Sequence, residues 1–273
     1  DFCLSRGLGD VYKRQEQIRI IDLLYAALIP SANEACNVMA EAVSGDVASF
    51  VELMNTRAAE LGMEDTHFSN THGYHDDDHY TSAYDIYLMC REAMKHETFR
   101  TIVGSKNYTM PATNLHPEPR IIRSTNALIS NFRVAGYIYE YATGIKTGST
   151  DAAGYCLSAT AERDGMELIA VVLKAKTSEQ RFESAKSLLN FGFANYTLTD
   201  VYPGQALPPV DVLLGEQDTV QPVLAQSSRI LVDKAQLNEM IPKLNESLGH
   251  RMIEVVCGAA LGFAIALIAY FCF

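Results

Sequence analysis

Tryptophan is absent, and the six cysteines (Cys3, Cys36, Cys90, Cys156, Cys257, Cys272) never form a Cys-x-x-Cys pair. That scatter argues against a structural zinc site and against a dense disulfide framework. The plainer reading is buried small apolar side chains. Basic residues are scarce, with 22 Lys and Arg against 33 Asp and Glu, for a net charge of −11. A chain of that sign is repelled by a phosphate backbone, so no nucleic-acid partner is expected. Internal repeats and low-complexity tracts are also missing, which excludes solenoids and long linkers. Residues 1–15 lack the apolar core of a secretory leader. They are left unassigned, as a start whose upstream part is missing or as a non-native lead.

What is present is apolar and patterned. The chain has 273 residues, 48% of them hydrophobic, enough for a main domain with a small companion. An apolar run from Ile18 to Ile29 stops at Pro30. Ser31 or Asn33 is placed to cap a helix over about 34–43, closed by Gly45. Asp46 opens a second amphipathic run to Gly62, and Thr81 or Ser82 a third to about Lys95. Residues 105–145 read as short strands and loops. Tyr155–Ala161 and Leu168–Leu173 are β-rich and joined through Asp164-Gly165, a hairpin signal. Ser178 is expected to cap a closing helix to Asn195. This order implies an α+β fold, a sheet with helices packed on it. Composition shifts near Thr199, so the main domain is set at 16–198 and a small β-rich module at 199–250. The uncharged run Val255–Phe273 nearly spans a hydrocarbon core at about 1.5 Å per residue. A transmembrane anchor is therefore expected over 252–273.

Two short motifs carry possible chemistry. Ser31-Ala32-Asn33 stands where an apolar segment meets a helix start, so a hydroxyl and a carboxamide can face one cleft. Taken alone, a plain helix cap is the better explanation. Lys146-Thr147-Gly148 puts a cation, a hydroxyl and a close-approach glycine on one strand, suited to an anionic peptide end. Each motif is weak by itself.

They gain force from the stretches around them, IPSANEACNVMAEAVSGDVASF through HFSNTHGYHDDDHYTSAYD and GIKTGSTDAAGYCLSATAERDGMELIAVVLKAKTSEQRFESAKSLLNFGF. From about Ile20 to Tyr196 the chain resembles the low-molecular-mass penicillin-binding proteins, the serine D-Ala-D-Ala carboxypeptidases. The resemblance implies a β-lactamase/transpeptidase-like sheet and an acyl-enzyme route that removes the terminal D-Ala of peptidoglycan stem peptides. It implies proton relay by Ser31, peptide-amide binding by Asn33 and positive potential from Lys146. It implies carboxylate binding by Thr147 and Arg181, close approach at Gly148 and an oxyanion N–H at Ser149. It implies β-lactams as ligands of the full-length enzyme, a site on the extracytoplasmic side of the cell membrane, and neither metal nor organic cofactor. One element departs from the family. No serine in this sequence has Lys three residues on, so the Ser-x-x-Lys nucleophile is missing and little or no turnover is expected.

Two rival readings stand beside it. His72, His75, Asp76, Asp77, Asp78 and His79 are dense in metal-ligand types and could form a zinc hydrolase site, or simply a solvated acidic loop. A non-catalytic module that binds cell-wall peptides is the other.

Overall fold

The structure is a computed structural model and describes residues 15–201, 209–211, 219–220 and 228–235. Its helices are α1 (Ile20–Leu28), α2 (Asn33–Ser44), α3 (Val47–Glu60), α4 (Ala83–Ala93), α5 (Glu97–Val103) and α6 (Ser178–Asn195). Its strands are β1 (Asn107–Met110), β2 (Arg120–Arg123), β3 (Ala142–Thr150), β4 (Gly154–Arg163), β5 (Met166–Ala175), β6 (Tyr196–Val201), β7 (Val210–Asp211), β8 (Thr219–Val220) and β9 (Ser228–Asp233). Residues 1–14 of the unassigned lead (1–15) and the expected membrane span (252–273) lie outside the described residues. Among the described residues no helix is long and apolar enough to cross a membrane.

Two compact units are distinguished, Asp1–Arg163 with Glu167–Leu189, and Asp164–Met166 with Asn190–Phe273. In the second, β6 pairs antiparallel with β9 and β7 with β8. The strand expected over 229–232 is therefore present as β9. The pieces expected over 210–214 and 220–224 are described only in part.

In the first unit β3, β4 and β5 form an antiparallel sheet in that order, with β3 at an edge among the described residues. The turn from β4 to β5 places Asp164 at φ 54° and Gly165 at φ 75°. Both central residues need positive φ in a type I′ hairpin, which the Asp-Gly pair supplies. Helix α5 packs on β3 across Gly144. A Cβ on Gly144 would lie 2.8 Å from Val103 Cγ2 and 3.3 Å from Thr160 Oγ1, so only glycine permits the approach. Sequence reading assigned no helix to Glu97–Val103. The segment is short and holds β-branched residues of low helix propensity. Burial of Ile102 and Val103 stabilises it instead.

Local signals set several helix ends. Gly45, at φ 85°, closes α2 with its N–H on Glu41 O at 2.8 Å. Asp46 caps α3 by accepting from Ser49 N at 2.8 Å, and Ser82 caps α4 by accepting from Asp85 N at 3.2 Å. Two expected caps are corrected. Helix α2 begins after Ala32 with no side-chain cap, so neither Ser31 nor Asn33 serves that role. At α6 the Gln180 N–H goes to Thr177 Oγ1 at 3.1 Å, while Ser178 Oγ accepts from Arg181 Nη2.

Helix α1 is anchored to β1 by a polar network centred on the buried Asp22. The Arg19 guanidinium donates to both Asp22 oxygens, at 2.7 and 2.9 Å, and Tyr108 Oη donates to Asp22 Oδ1 at 2.6 Å. Tyr25 stacks on Tyr108 with ring centres 3.6 Å apart. Leu23, Ala26, Ala35, Met110 and Ile122 form the apolar core beneath. Burial pushes the Asp22 carboxyl up, but Arg19 and Tyr108 more than offset it and hold it below its ordinary value. A depressed carboxyl pKa contributes stability above about pH 4, its unfolded value, and that stability is lost as pH falls through the folded one. Asp22→Asn should therefore cost about 1–2 kcal/mol at pH 7. Urea titrations from pH 7 to 2 should show a shallower loss of stability with acid in the variant. An identical acid limb would contradict this.

Candidate active site

A third segment that sequence reading passed over bonds the chain two residues before one motif and a hydroxyl within the other. Arg123-Ser124-Thr125-Asn126 leaves β2, and Ser124, Thr125 and Asn126 are buried. Thr125 N donates to Ile29 O at 3.4 Å, two residues before Ser31. Its hydroxyl reaches Thr147 Oγ1 on β3 at 2.6 Å and, at 3.5 Å, Ile29 O. The end of α1 and the middle of β3 are thus tied to one threonine. An available signal was the compact polar run Ser124-Thr125-Asn126, which with Arg123 stands between the core residues Ile122 and Ala127-Leu128-Ile129.

Ser31 follows the turn at Pro30 with φ 73°, in the left-handed region. For a non-glycine residue that conformation costs of order 1 kcal/mol or more. The cap that might have justified it is not made. Ala32 N donates to Ala26 O at 2.9 Å and fixes the reversal of the chain. Ser31 and Asn33 are half-buried, on either side of the buried Ala32.

On β3, Lys146 lies opposite Ser158, Thr147 opposite Leu157, Gly148 opposite Cys156 and Ser149 opposite Tyr155. Lys146 is half-buried, and its ammonium donates to Thr147 O at 2.7 Å. Burial pushes its pKa down from 10.5 to about 8. The Cys36 thiol on α2 acts against that fall, while Arg181 and Arg133 add to it. The same proximity appears from the other side, where Lys146 offsets part of the rise that burial imposes on Cys36. The start of α2 and Lys146 therefore share one neighbourhood. Gly148 and Ser149 are exposed. Thr147 is buried, with its hydroxyl engaged by Thr125.

Arg181, in the first turn of α6, is only 8% exposed. Nη1 donates to Gly148 O at 3.2 Å and to Cys156 O at 3.4 Å. Its guanidinium carbon lies 5.5 Å from the Tyr155 ring centre and 4.7 Å from that of Phe182. Nε is buried without an acceptor among the described residues. Burial pushes the guanidinium pKa down; Cys156, Tyr155 and Glu179 oppose that shift. A cation held by carbonyls and ring faces, with one donor unmet, suits an incoming anion. Beside it Tyr155, Ser149, Thr150, Lys174 and Lys176 help line a cavity of about 570 Å³.

The histidine-rich loop is organised differently. His72 Nδ1 accepts from Tyr74 N, His79 Nδ1 accepts from Ser69 N, and His67 Nδ1 pairs with Asp78 O. Those three Nδ1 atoms are spent on the loop's own backbone, and His75 Nε2 lies 3.5 Å from Asp77 Oδ1. Among the described residues no three His, Cys, Asp or Glu side chains converge as metal donors.

Comparison with known proteins bears on this geometry. Residues 5–177 match the family described as D-alanyl-D-alanine carboxypeptidase, peptidase S11. The chain belongs to that family. The match begins upstream of Ile20, where the resemblance was expected to start, and ends before Arg181. Similar curated proteins include the D-alanyl-D-alanine carboxypeptidase DacF of Bacillus subtilis, 33% identical over 81% of this chain and 55% of the relative. The D-alanyl-D-alanine carboxypeptidase of Streptomyces sp. strain K15 is 32% identical over 66% of this chain and 62% of its own length. The chain spans about half the length of the curated relatives it matches. Among solved structures, the Streptomyces K15 DD-transpeptidase has a TM-score of 0.61 and 31% identity over 67% of this chain and 71% of that one. The carboxypeptidase DacD of Francisella tularensis, TM-score 0.64 at 23% identity over 81% of this chain and 64% of that one, shares the fold. The β-lactamase/transpeptidase-like α+β expectation is met at the level of DD-peptidase fold neighbours.

Lys146 supplies a test of its surroundings. Its folded pKa lies below its unfolded value, so its charged form destabilises the fold fully below about pH 8. Between there and about 10.4 the folded state sheds the proton first, and stability rises. Lys146→Met should therefore stabilise the protein at pH 7, by an amount on the order of 2 kcal/mol, and by less at pH 10. Thermal unfolding at the two pH values measures it. A destabilised variant at pH 7 would contradict the assignment.

Proposed function

We propose that this chain forms the carboxylate-binding and proton-relay half of a D-Ala-D-Ala carboxypeptidase site, acting on peptidoglycan stem peptides. The observation that supports the reading is the junction at Thr125, which bonds Ile29 O, two residues before Ser31, and Thr147 Oγ1, next to the Gly148 carbonyl that Arg181 holds. In this reading the substrate peptide lies along the β3 edge, where exposed Gly148 permits close approach. The terminal carboxylate is held by the Thr147 hydroxyl and attracted by Arg181. The Ser149 N–H supports the oxyanion, and Asn33 holds the peptide amide. Ser31 passes a proton toward the leaving D-Ala amine, under the positive potential of Lys146. The strained backbone at Ser31 supports that role, because strain without a capping bond accords with a functional constraint.

The Thr125–Thr147 bond has a chemical consequence for binding. A carboxylate only accepts, so Thr147 must turn its proton outward to meet one. Thr125 can then donate to Thr147 Oγ1 in place of its long contact with Ile29 O. The pair thus remains satisfied in both states.

The covalent step needs a serine activated by a lysine, and no Ser-x-x-Lys occurs in this sequence. Taken alone, the chain is proposed to bind substrate without turnover. That absence also favours a second reading, a cell-wall peptide-binding module. Penicillin acylation, extracytoplasmic location and membrane anchoring through 252–273 are proposed for the whole protein, the anchor on the apolar run Val255–Phe273. Calorimetry of the purified chain with a D-Ala-D-Ala peptide should give a Kd in the millimolar range, about −4 kcal/mol. Amidating the peptide C-terminus should abolish the heat, and no D-Ala should be released. No heat at millimolar peptide would remove the binding reading. Release of D-Ala, or covalent labelling by a penicillin, would remove the claim of no turnover.

A further inference from the structure

We infer that the cavity at the β3–β4 turn is a second anion subsite, in which Lys174 and Lys176 receive a carboxylate carried by the residue before the D-Ala pair. The inference rests on the carboxylate-binding reading above and extends it along the peptide.

The direction of the peptide brings it to the cavity. In that reading Thr147 holds the C-terminal carboxylate, and the Ser149 N–H faces the scissile carbonyl, which lies nearer the peptide's N-terminus. The peptide therefore runs antiparallel to β3. Each residue toward its N-terminus advances about 3.3 Å beyond Ser149. The next positions of the chain are Thr150 and Asp151, and both line the cavity of about 570 Å³. Thr147 and Ser149, two apart on one strand, share a face of the sheet. Tyr155 is the register partner of Ser149 and stands on that face as well. Its ring centre lies 5.5 Å from the Arg181 guanidinium carbon. Ser149 and Tyr155 also line the cavity, so it continues the surface that carries the Thr147 hydroxyl.

Three backbone features shape its walls. Ala153 N donates to Thr150 Oγ1 at 3.0 Å and sets the turn. Gly154, at φ 63°, brings the start of β4 against the end of β5, where a Cβ would lie 2.9 Å from Ala175 O. Lys174 has φ 56°, a left-handed conformation that a non-glycine residue keeps only when its surroundings hold it there. Just beyond, Lys176 N donates to Gln180 Oε1 at 2.8 Å and ties the segment to the first turn of α6. Lys174 and Lys176 both line the cavity and are exposed. Among the described residues neither ammonium has a hydrogen bond or an ion pair. Asp151 is the single acid among the lining residues, so the two cations outnumber it. A lysine ammonium is a point charge on a flexible stem, able to meet a carboxylate from several directions.

The test uses two peptides that end in D-Ala-D-Ala, one with a glutamyl residue before that pair and one with glutamine there. Calorimetry on the whole chain should show the glutamyl peptide binding about fivefold tighter, the scale of exposed ion pairs, with the difference shrinking at high salt. Lys174→Gly combined with Lys176→Gln should make the two peptides equal. Glycine accepts the left-handed backbone at position 174, so the double variant should keep the circular dichroism spectrum of the unaltered chain. Lys176→Gln alone should keep part of the preference. Equal binding of both peptides by the unaltered chain overturns this inference and leaves the carboxylate-binding reading intact. A preference that survives the double substitution does the same. Absence of binding by either peptide overturns both.

Discussion

The hydrogen bond between the Thr125 and Thr147 hydroxyls is the contact on which the site depends. It is buried and short, and it joins a loop root to the middle of an edge strand. The same threonine holds the end of α1 through Ile29 O, so the turn that carries Ser31 is referenced to the strand that carries Lys146. Without that cross-tie the two motifs would be positioned only by packing at a distance. Glycine completes the arrangement. Gly144 lets α5 come close enough to set β3, and exposed Gly148 keeps the outer edge of β3 open.

Around this tie the protein buries positive charge. Lys146 gives its ammonium to a backbone carbonyl, and Arg181 is distributed over two carbonyls and two ring faces. Neutral acceptors reduce the cost of burial but do not cancel a charge. The depressed pKa of Lys146 expresses that residual cost. Under the proposed carboxylate-binding role, a bound anion offsets that cost. The family to which the chain belongs is one whose named members act on D-alanyl-D-alanine.

Much of the fold could be read from the residues because its signals are local. Gly45 after a helix, Asp46 and Ser82 before one, and Asp164-Gly165 between two β-rich runs each act within a few residues. Helix α5 was not legible, since tertiary burial of Ile102 and Val103 decides it against weak propensity. The capping roles given to Ser31 and Ser178 failed for a different reason. Competing bonds close by in sequence, Ala32 N to Ala26 O and Arg181 Nη2 to Ser178 Oγ, take the place of the expected caps. The two motifs of the site were legible through their family resemblance. Thr125 was not, because its partners lie 22 and 96 residues away in sequence, and no spacing rule links them.

The claim that Thr125 makes one site of two motifs is tested most directly by peptide binding in a Thr125→Val variant. Valine keeps the volume and removes the hydroxyl. The account predicts that the affinity for a D-Ala-D-Ala peptide, measured by calorimetry, falls about tenfold, equivalent to roughly 1.4 kcal/mol, while the circular dichroism spectrum stays unchanged. An unaltered affinity in a folded variant would contradict it.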